Sequence, residues 1–155
     1  MFDVPIDTVT LWAGLGAVSV AVLTIVTQAP TTTAPDATAV AATIDEVTTS
    51  PAGSVERRPL RAQSWSLADG QFGLRNEAGT SHAALHRGAV AARGRPLEPV
   101  LDGRRPDAVF SSPAVFRRAI DRARQRHRNA SWWSTPDQLT VRHVSWGDVD
   151  VTLVG

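Results

Sequence analysis

The chain of 155 residues contains no cysteine, and its 16 basic residues, all arginine, face 15 acids. Without thiols there are no disulfides and no thiolate metal centres, and without lysine there is no phosphate-binding P-loop. The net charge of +1 hides a split: residues 1–50 carry five acids and no base, whereas residues 51–155 carry every arginine.

The first element is an uncharged run, Val9–Thr27, close to the roughly 20 residues that a helix needs to cross a bilayer. Its leading residues offer only Asp3 and Asp7, so it reads as an uncleaved anchor and not as a cleaved signal, which wants a basic start. On a helix Ala13, Gly14, Ala17 and Ala21 share one face. Such a small-residue stripe allows close approach of another transmembrane helix, from itself or a partner. No arginine lies near either end, so the usual charge rule does not set orientation.

Pro30 and Pro35 bound a stiff Pro/Thr-rich linker. The expected organisation is therefore an anchor over residues 1–28, a linker over 29–35 and a soluble domain over 36–155. Asp36 reads as a helix cap, followed by an apolar stripe of Ala37, Val40, Ala41, Ile44 and Val47 that ends near Ser50-Pro51. Ala52–Arg61 reads as a loop. Alternation at Trp65 and Leu67, the turn Asp69-Gly70, then Phe72 and Leu74 predict a hairpin. A third strand follows over Thr80–His86 and a weaker one over Ala89–Ala92, and Arg93–Arg105 reads as a long loop.

Ser112 before Pro113 starts a helix, with Val115, Phe116, Ala119, Ile120 and Ala123 as its buried stripe. Two closing strands carry Leu139, Val141 and His143, then Val149, Val151 and Leu153, with a turn at Ser145-Trp146-Gly147. The fold class expected is α+β: an N-terminal transmembrane helix followed by a small domain of mainly antiparallel sheet with two packed helices.

The polar feature that stands out is the helix bearing Arg117, Arg118, Arg122, Arg124, Arg126 and Arg128 against one acid, Asp121. Arg118, Arg122 and Arg126 sit four apart, where like charges repel unless an anion answers them. With Arg117 they form a candidate surface for an anionic lipid or an acidic partner. Nucleic acid is disfavoured, because no recognised binding motif accompanies the charge. Asn129-Ala130-Ser131 is a glycosylation sequon. Trp132 and Trp133 divide between core packing and cover for a sheet edge. His127 and His143 read as packed or hydrogen-bonded histidines, and Asp148 and Asp150 as solvated strand carboxylates. There is no G-x-S-x-G elbow, and no enzyme, cofactor, metal or small-molecule substrate is expected.

Two ends of the chain carry a resemblance. Met1-Phe2-Asp3-Val4-Pro5 through Leu11–Val20, and Val144-Ser145-Trp146-Gly147-Asp148-Val149-Asp150-Val151-Thr152-Leu153-Val154, resemble an uncharacterised family of haloarchaeal membrane-anchored proteins associated with type IV pilus-like gene clusters. The similarity extends to Leu74-Arg75-Asn76 and the Pro113–Arg117 helix start. It implies an accessory or pilin-like role in a surface assembly; separately, the stalk-like composition of Ala29–Pro35 and the Asn129 sequon favour the soluble domain being outside the cell. The basic processing signal of a pilin is missing, which favours an accessory role. The alternative is a cytoplasm-facing adaptor docking through its arginine-rich helix.

Overall fold

The computed structural model describes residues 33–68, 70–94, 96–128 and 131–155, which form one unit from Thr33 to Gly155. Helix α1, Ala37–Thr49, starts where Asp36 caps it: Asp36 Oδ1 accepts from the Ala39 amide at 3.0 Å. The helix stops at Ser50, which is extended and followed by Pro51. Its apolar stripe of Ala37, Val40, Ala41, Ile44 and Val47 is buried as the spacing predicts.

Strands β1 (Val55–Pro59), β2 (Ser64–Ala68), β3 (Gln71–Asn76), β4 (Gly79–Ala84) and β5 (Ala89–Ala91) follow in order. A short helix α2 (Glu98–Leu101), a 3-10 turn (Pro106–Ala108) and helix α3 (Pro113–Arg126) lead to β6 (Trp132–Ser134), β7 (Gln138–Trp146) and β8 (Val149–Val154). These eight strands form two sheets of four, ordered β1-β7-β8-β5 and β4-β3-β2-β6. Every pairing is antiparallel except β5 with β8.

The first sheet is covered on both faces. Leu139 and Val141 of β7 and Val154 of β8 pack with α1 and with Trp65, Leu67, Phe72 and Leu74 of the second sheet. Val149, Val151 and Leu153 point the other way, into a second core with Phe116, Ala119, Ile120 and Ala123 of α3 and Leu97, Val100 and Leu101 around α2. Five of the six β8 residues are buried as a result, as expected for a strand with apolar layers on both sides.

Three short polar links seat α1. Ser81 Oγ accepts from the Ala37 amide at 3.1 Å and donates to the Pro35 carbonyl at 2.6 Å. Arg58 donates to Thr43 Oγ1 at 2.7 Å and to the Ala39 carbonyl at 3.2 Å. Asp45 accepts from the His86 amide and from His86 Nδ1, the latter at 2.9 Å. These bonds fasten the loop after β4 to the helix.

The expected fold class needs correction. The class α+β stands, but the described residues form two sheets and three α-helices in place of one sheet and two helices. The expected N-terminal transmembrane helix is not among the elements described: among the described residues no helix is long and apolar enough to cross a membrane, and Val9–Thr27 lies outside those residues. Two segments read as loops are structured. Val55–Pro59 pairs with β7 as a charged edge strand ending in proline, a composition that guards an edge but hides its strand character. Within Arg93–Arg105 a single turn of helix forms at Glu98–Leu101, started by Pro99 in its first turn.

Candidate docking surface on the arginine-rich helix

Helix α3 begins at Ser112, whose Oγ accepts from the Val115 amide at 3.4 Å, with Pro113 at the first helical position. Phe116, Ala119, Ile120 and Ala123 seat it on the first sheet. That burial fixes which way the arginines point. At about 100° per residue, Arg118, Arg122 and Arg126 flank one side of the buried stripe, while Arg117 and Arg124 flank the other; Arg128 lies beyond the helix end.

The two flanks differ in how their charge is answered. Arg117 forms an ion pair with Asp148 in the β7–β8 turn, and Arg124 lies 3.6 Å from Asp121. Arg118, Arg122 and Arg126 are exposed and have no carboxylate partner among the described residues. Arg126 lies in the last turn, where the helix dipole favours a cation; Arg118, in the second turn, has no such benefit. So the row predicted from spacing exists as an exposed, unneutralised stripe, and Arg117 does not belong to it. Ala13, Gly14, Ala17, Ala21 and Asn129 lie outside the described residues.

At the C-terminal end of α3 the environment changes. His127 closes the helix, its amide donating to the Ala123 and Arg124 carbonyls at 3.2 Å each. Its ring meets Trp133 edge-on at 4.9 Å, and Trp133 lies 4.7 Å from Trp65. Both ring nitrogens of His127 are buried without a hydrogen-bond partner. Burial, reinforced by the Arg126 charge, lowers its pKa and keeps the ring neutral. Beside it a cavity of about 320 Å³ opens between α3, β5 and the β2–β3 turn. A larger hollow of about 510 Å³ lies beside the start of α1, between Pro35, Arg58, Leu60 and Leu74. Arg58 and Arg61 both line it, and Arg58 is engaged by α1.

His143 is the most tightly held titratable side chain. Its Nδ1 lies 2.6 Å from the Ser50 carbonyl and its Nε2 lies 2.7 Å from Asp150 Oδ1. Neither Asp148 nor Asp150 is thus simply solvated: one answers Arg117 and the other His143. Register explains the second pairing, since His143 stands opposite Thr152 and Asp150 is its diagonal neighbour on the same face. The alternation of residues 139–153 was the available signal; the register between the strands was not. His82 and His86 are not brought together: His82 meets Trp132 at 5.8 Å, while His86 belongs to Asp45. Among the described residues no group of three or more His, Asp or Glu side chains could hold a metal ion.

Fold and site thus define an α+β domain of two sheets with an exposed basic helix face. The chain belongs to a family of unknown function (DUF7283), whose model matches residues 3–144. No curated protein and no solved structure matches it.

Proposed function

We propose that the chain is a non-enzymatic accessory component of a membrane-associated surface assembly of the type IV pilus-like kind, with its basic domain outside the cell. The resemblance of its two ends to haloarchaeal membrane-anchored proteins associated with pilus-like gene clusters supports the setting, and the uncharged run Val9–Thr27 supports the association with a membrane. The contact surface is the row Arg118, Arg122 and Arg126, and its partner is an acidic protein face. One observation carries this reading. Arg117 and Arg124 on the other flank find Asp148 and Asp121, whereas this row repels itself at i,i+4 spacing with no carboxylate to answer it among the described residues. A partner carboxylate surface relieves that repulsion and gains charge-assisted hydrogen bonds, for which guanidinium groups are well suited.

The test is genetic and visual. Deleting the gene is expected to reduce surface filaments counted by electron microscopy, and the wild-type gene restores them. A variant with Arg118→Glu, Arg122→Glu and Arg126→Glu is expected to accumulate to the same level without restoring filaments. Normal filaments in the deletion strain, or full rescue by the triple variant, contradict the reading.

A further inference from the structure

The cavity beside His127 borders an open sheet edge. Strand β5 is the last strand of its sheet and pairs only with β8. The Ala92 amide donates to the Val154 carbonyl at 2.8 Å, and Val90 stands opposite Leu153. Backbone polar groups alternate in direction along a strand, so those of Val90 face β8 while those of Ala89 and Ala91 face away. Among the described residues, the backbone groups of Ala89 and Ala91 make no hydrogen bond on that open side. Ala89 is half-buried and Ala91 only 3% exposed, so the Ala91 groups are shielded from bulk water yet unpaired, a condition native backbones usually avoid.

The cavity lies along that side. All three β5 residues line it and no β8 residue does; its far walls are Leu67 and Ala68 of β2 and the end of α3. Ala123, Val90 and Leu67 make it apolar within, Arg124, His127 and Arg128 stand at the end of α3, and among the described residues no acid lines it. A free strand edge beside a helix, with an apolar slot between them, is the arrangement that takes up an extended peptide by strand addition.

We infer that this slot binds an extended acidic segment of a partner protein, which adds to β5 through the backbone groups of Ala89 and Ala91 and places a carboxylate against Arg128 and against Arg124, whose exposed 3.6 Å contact with Asp121 it shares. The alternate side chains of the segment enter the apolar part of the slot. The inference goes beyond the docking row described above, because it uses the opposite flank of α3 and does not need Arg118, Arg122 or Arg126.

The test uses the full chain in a mild nonionic detergent and a fluorescent eight-residue peptide that alternates valine with threonine and aspartate. Two further peptides serve as controls, one with lysine in place of aspartate and one N-methylated at alternate residues. The acidic peptide is expected to bind saturably and to shift the amide NMR signals of Ala89 and Ala91. Arg124→Glu with Arg128→Glu is expected to weaken it at least about tenfold, with the circular dichroism spectrum unchanged. N-methylation, which removes the strand-forming donors but no charge, is expected to abolish binding. The Arg118→Glu, Arg122→Glu, Arg126→Glu variant should bind the peptide as the wild type does. Absence of saturable binding, equal binding of the N-methylated peptide, or equal binding of the lysine peptide overturns the inference.

Discussion

His143 and Asp150 form a clasp in which the imidazole is held on both sides: Nε2 is 2.7 Å from Asp150 Oδ1, and Nδ1 is 2.6 Å from the Ser50 carbonyl that ends helix α1. Both partners are acceptors, so both hydrogen bonds form together only when both ring nitrogens carry protons, which favours the imidazolium. Burial works against this charge, but the hydrogen bonds to Asp150 and Ser50 and the Asp150 carboxylate outweigh it, and the pKa is raised above 6.5. A raised folded-state pKa contributes stability fully below the unfolded value and loses it as pH climbs through the folded value. NMR titration of the His143 ring protons is therefore expected to give a midpoint above 6.5 in the wild type and a lower one in Asp150→Asn. Because Asp150 is largely exposed, that substitution is expected to lower stability at pH 6 by only about 0.5 kcal/mol, and by less at pH 9. A wild-type midpoint at or below 6.5 would contradict the clasp.

Gly73 is required by what stands above it. On the outer face of the second sheet a single row runs His82, Gly73, Ser66, Trp132. The His82 ring meets Trp132, and the Arg75 guanidinium covers the Trp132 ring at 4.0 Å. A Cβ on Gly73 would lie 2.6 Å from Ser66 Oγ and 2.9 Å from His82 Nδ1. In a strand interior alanine ordinarily has the advantage over glycine; here Gly73→Ala is expected to destabilise by about 1 kcal/mol. Urea unfolding checks it, and adding His82→Ala is expected to recover part of the loss. A gain in stability from Gly73→Ala alone would show that the row is looser than described.

The two cores meet at β7 and β8, which supply buried residues to both. Trp65, fully buried against Phe72 and Trp133, represents one core, and Phe116, fully buried against Phe110 and Trp146, represents the other. Trp65→Ala and Phe116→Ala are each expected to cost about 3–5 kcal/mol. Since the shared strands couple the cores, each variant should still unfold in one transition when followed by circular dichroism and by tryptophan fluorescence. Separate transitions for the two probes would mean that the cores are independent.

What sequence makes legible here are the elements whose signals are local. Asp36 and Ser112 announce their helices because capping is a contact within a few residues. The hairpin of β2 and β3 follows from alternation around Gly70, whose φ of +72° suits a turn. Val55–Pro59 escaped because a charged edge strand has no apolar face to alternate. Strand β6, and with it the division into two sheets, escaped for a different reason: it is three residues long, and its pairing with β2 joins residues nearly seventy apart. The arginine row was readable because like charges at helical spacing need no tertiary knowledge. Which arginines are neutralised was not, since Asp148 reaches Arg117 only after β7 and β8 fold onto α3.

The capping contacts themselves are testable. Asp36→Ala and Ser112→Ala each remove an acceptor from a helix start and are expected to cost about 1 kcal/mol. Thermal melts check both. The Ser112 bond is the longer, 3.4 Å against 3.0 Å, so its loss is expected to be the smaller of the two. The reverse order would mean that the cap of α1 is secured chiefly by Ser81.

The measurement that tests the docking claim most directly is site-specific photocrosslinking in living cells. Gln125 is exposed and lies beside Arg118 and Arg122 on the helix surface, whereas Glu77 is exposed in the turn between β3 and β4. With a benzophenone amino acid in place of Gln125, one discrete crosslinked partner is expected, and Arg118→Glu, Arg122→Glu and Arg126→Glu together should remove it. The same group at Glu77 should give no such product. No crosslinked protein at position 125, or one that persists when the three charges are reversed, would contradict the assignment of this face as the docking surface.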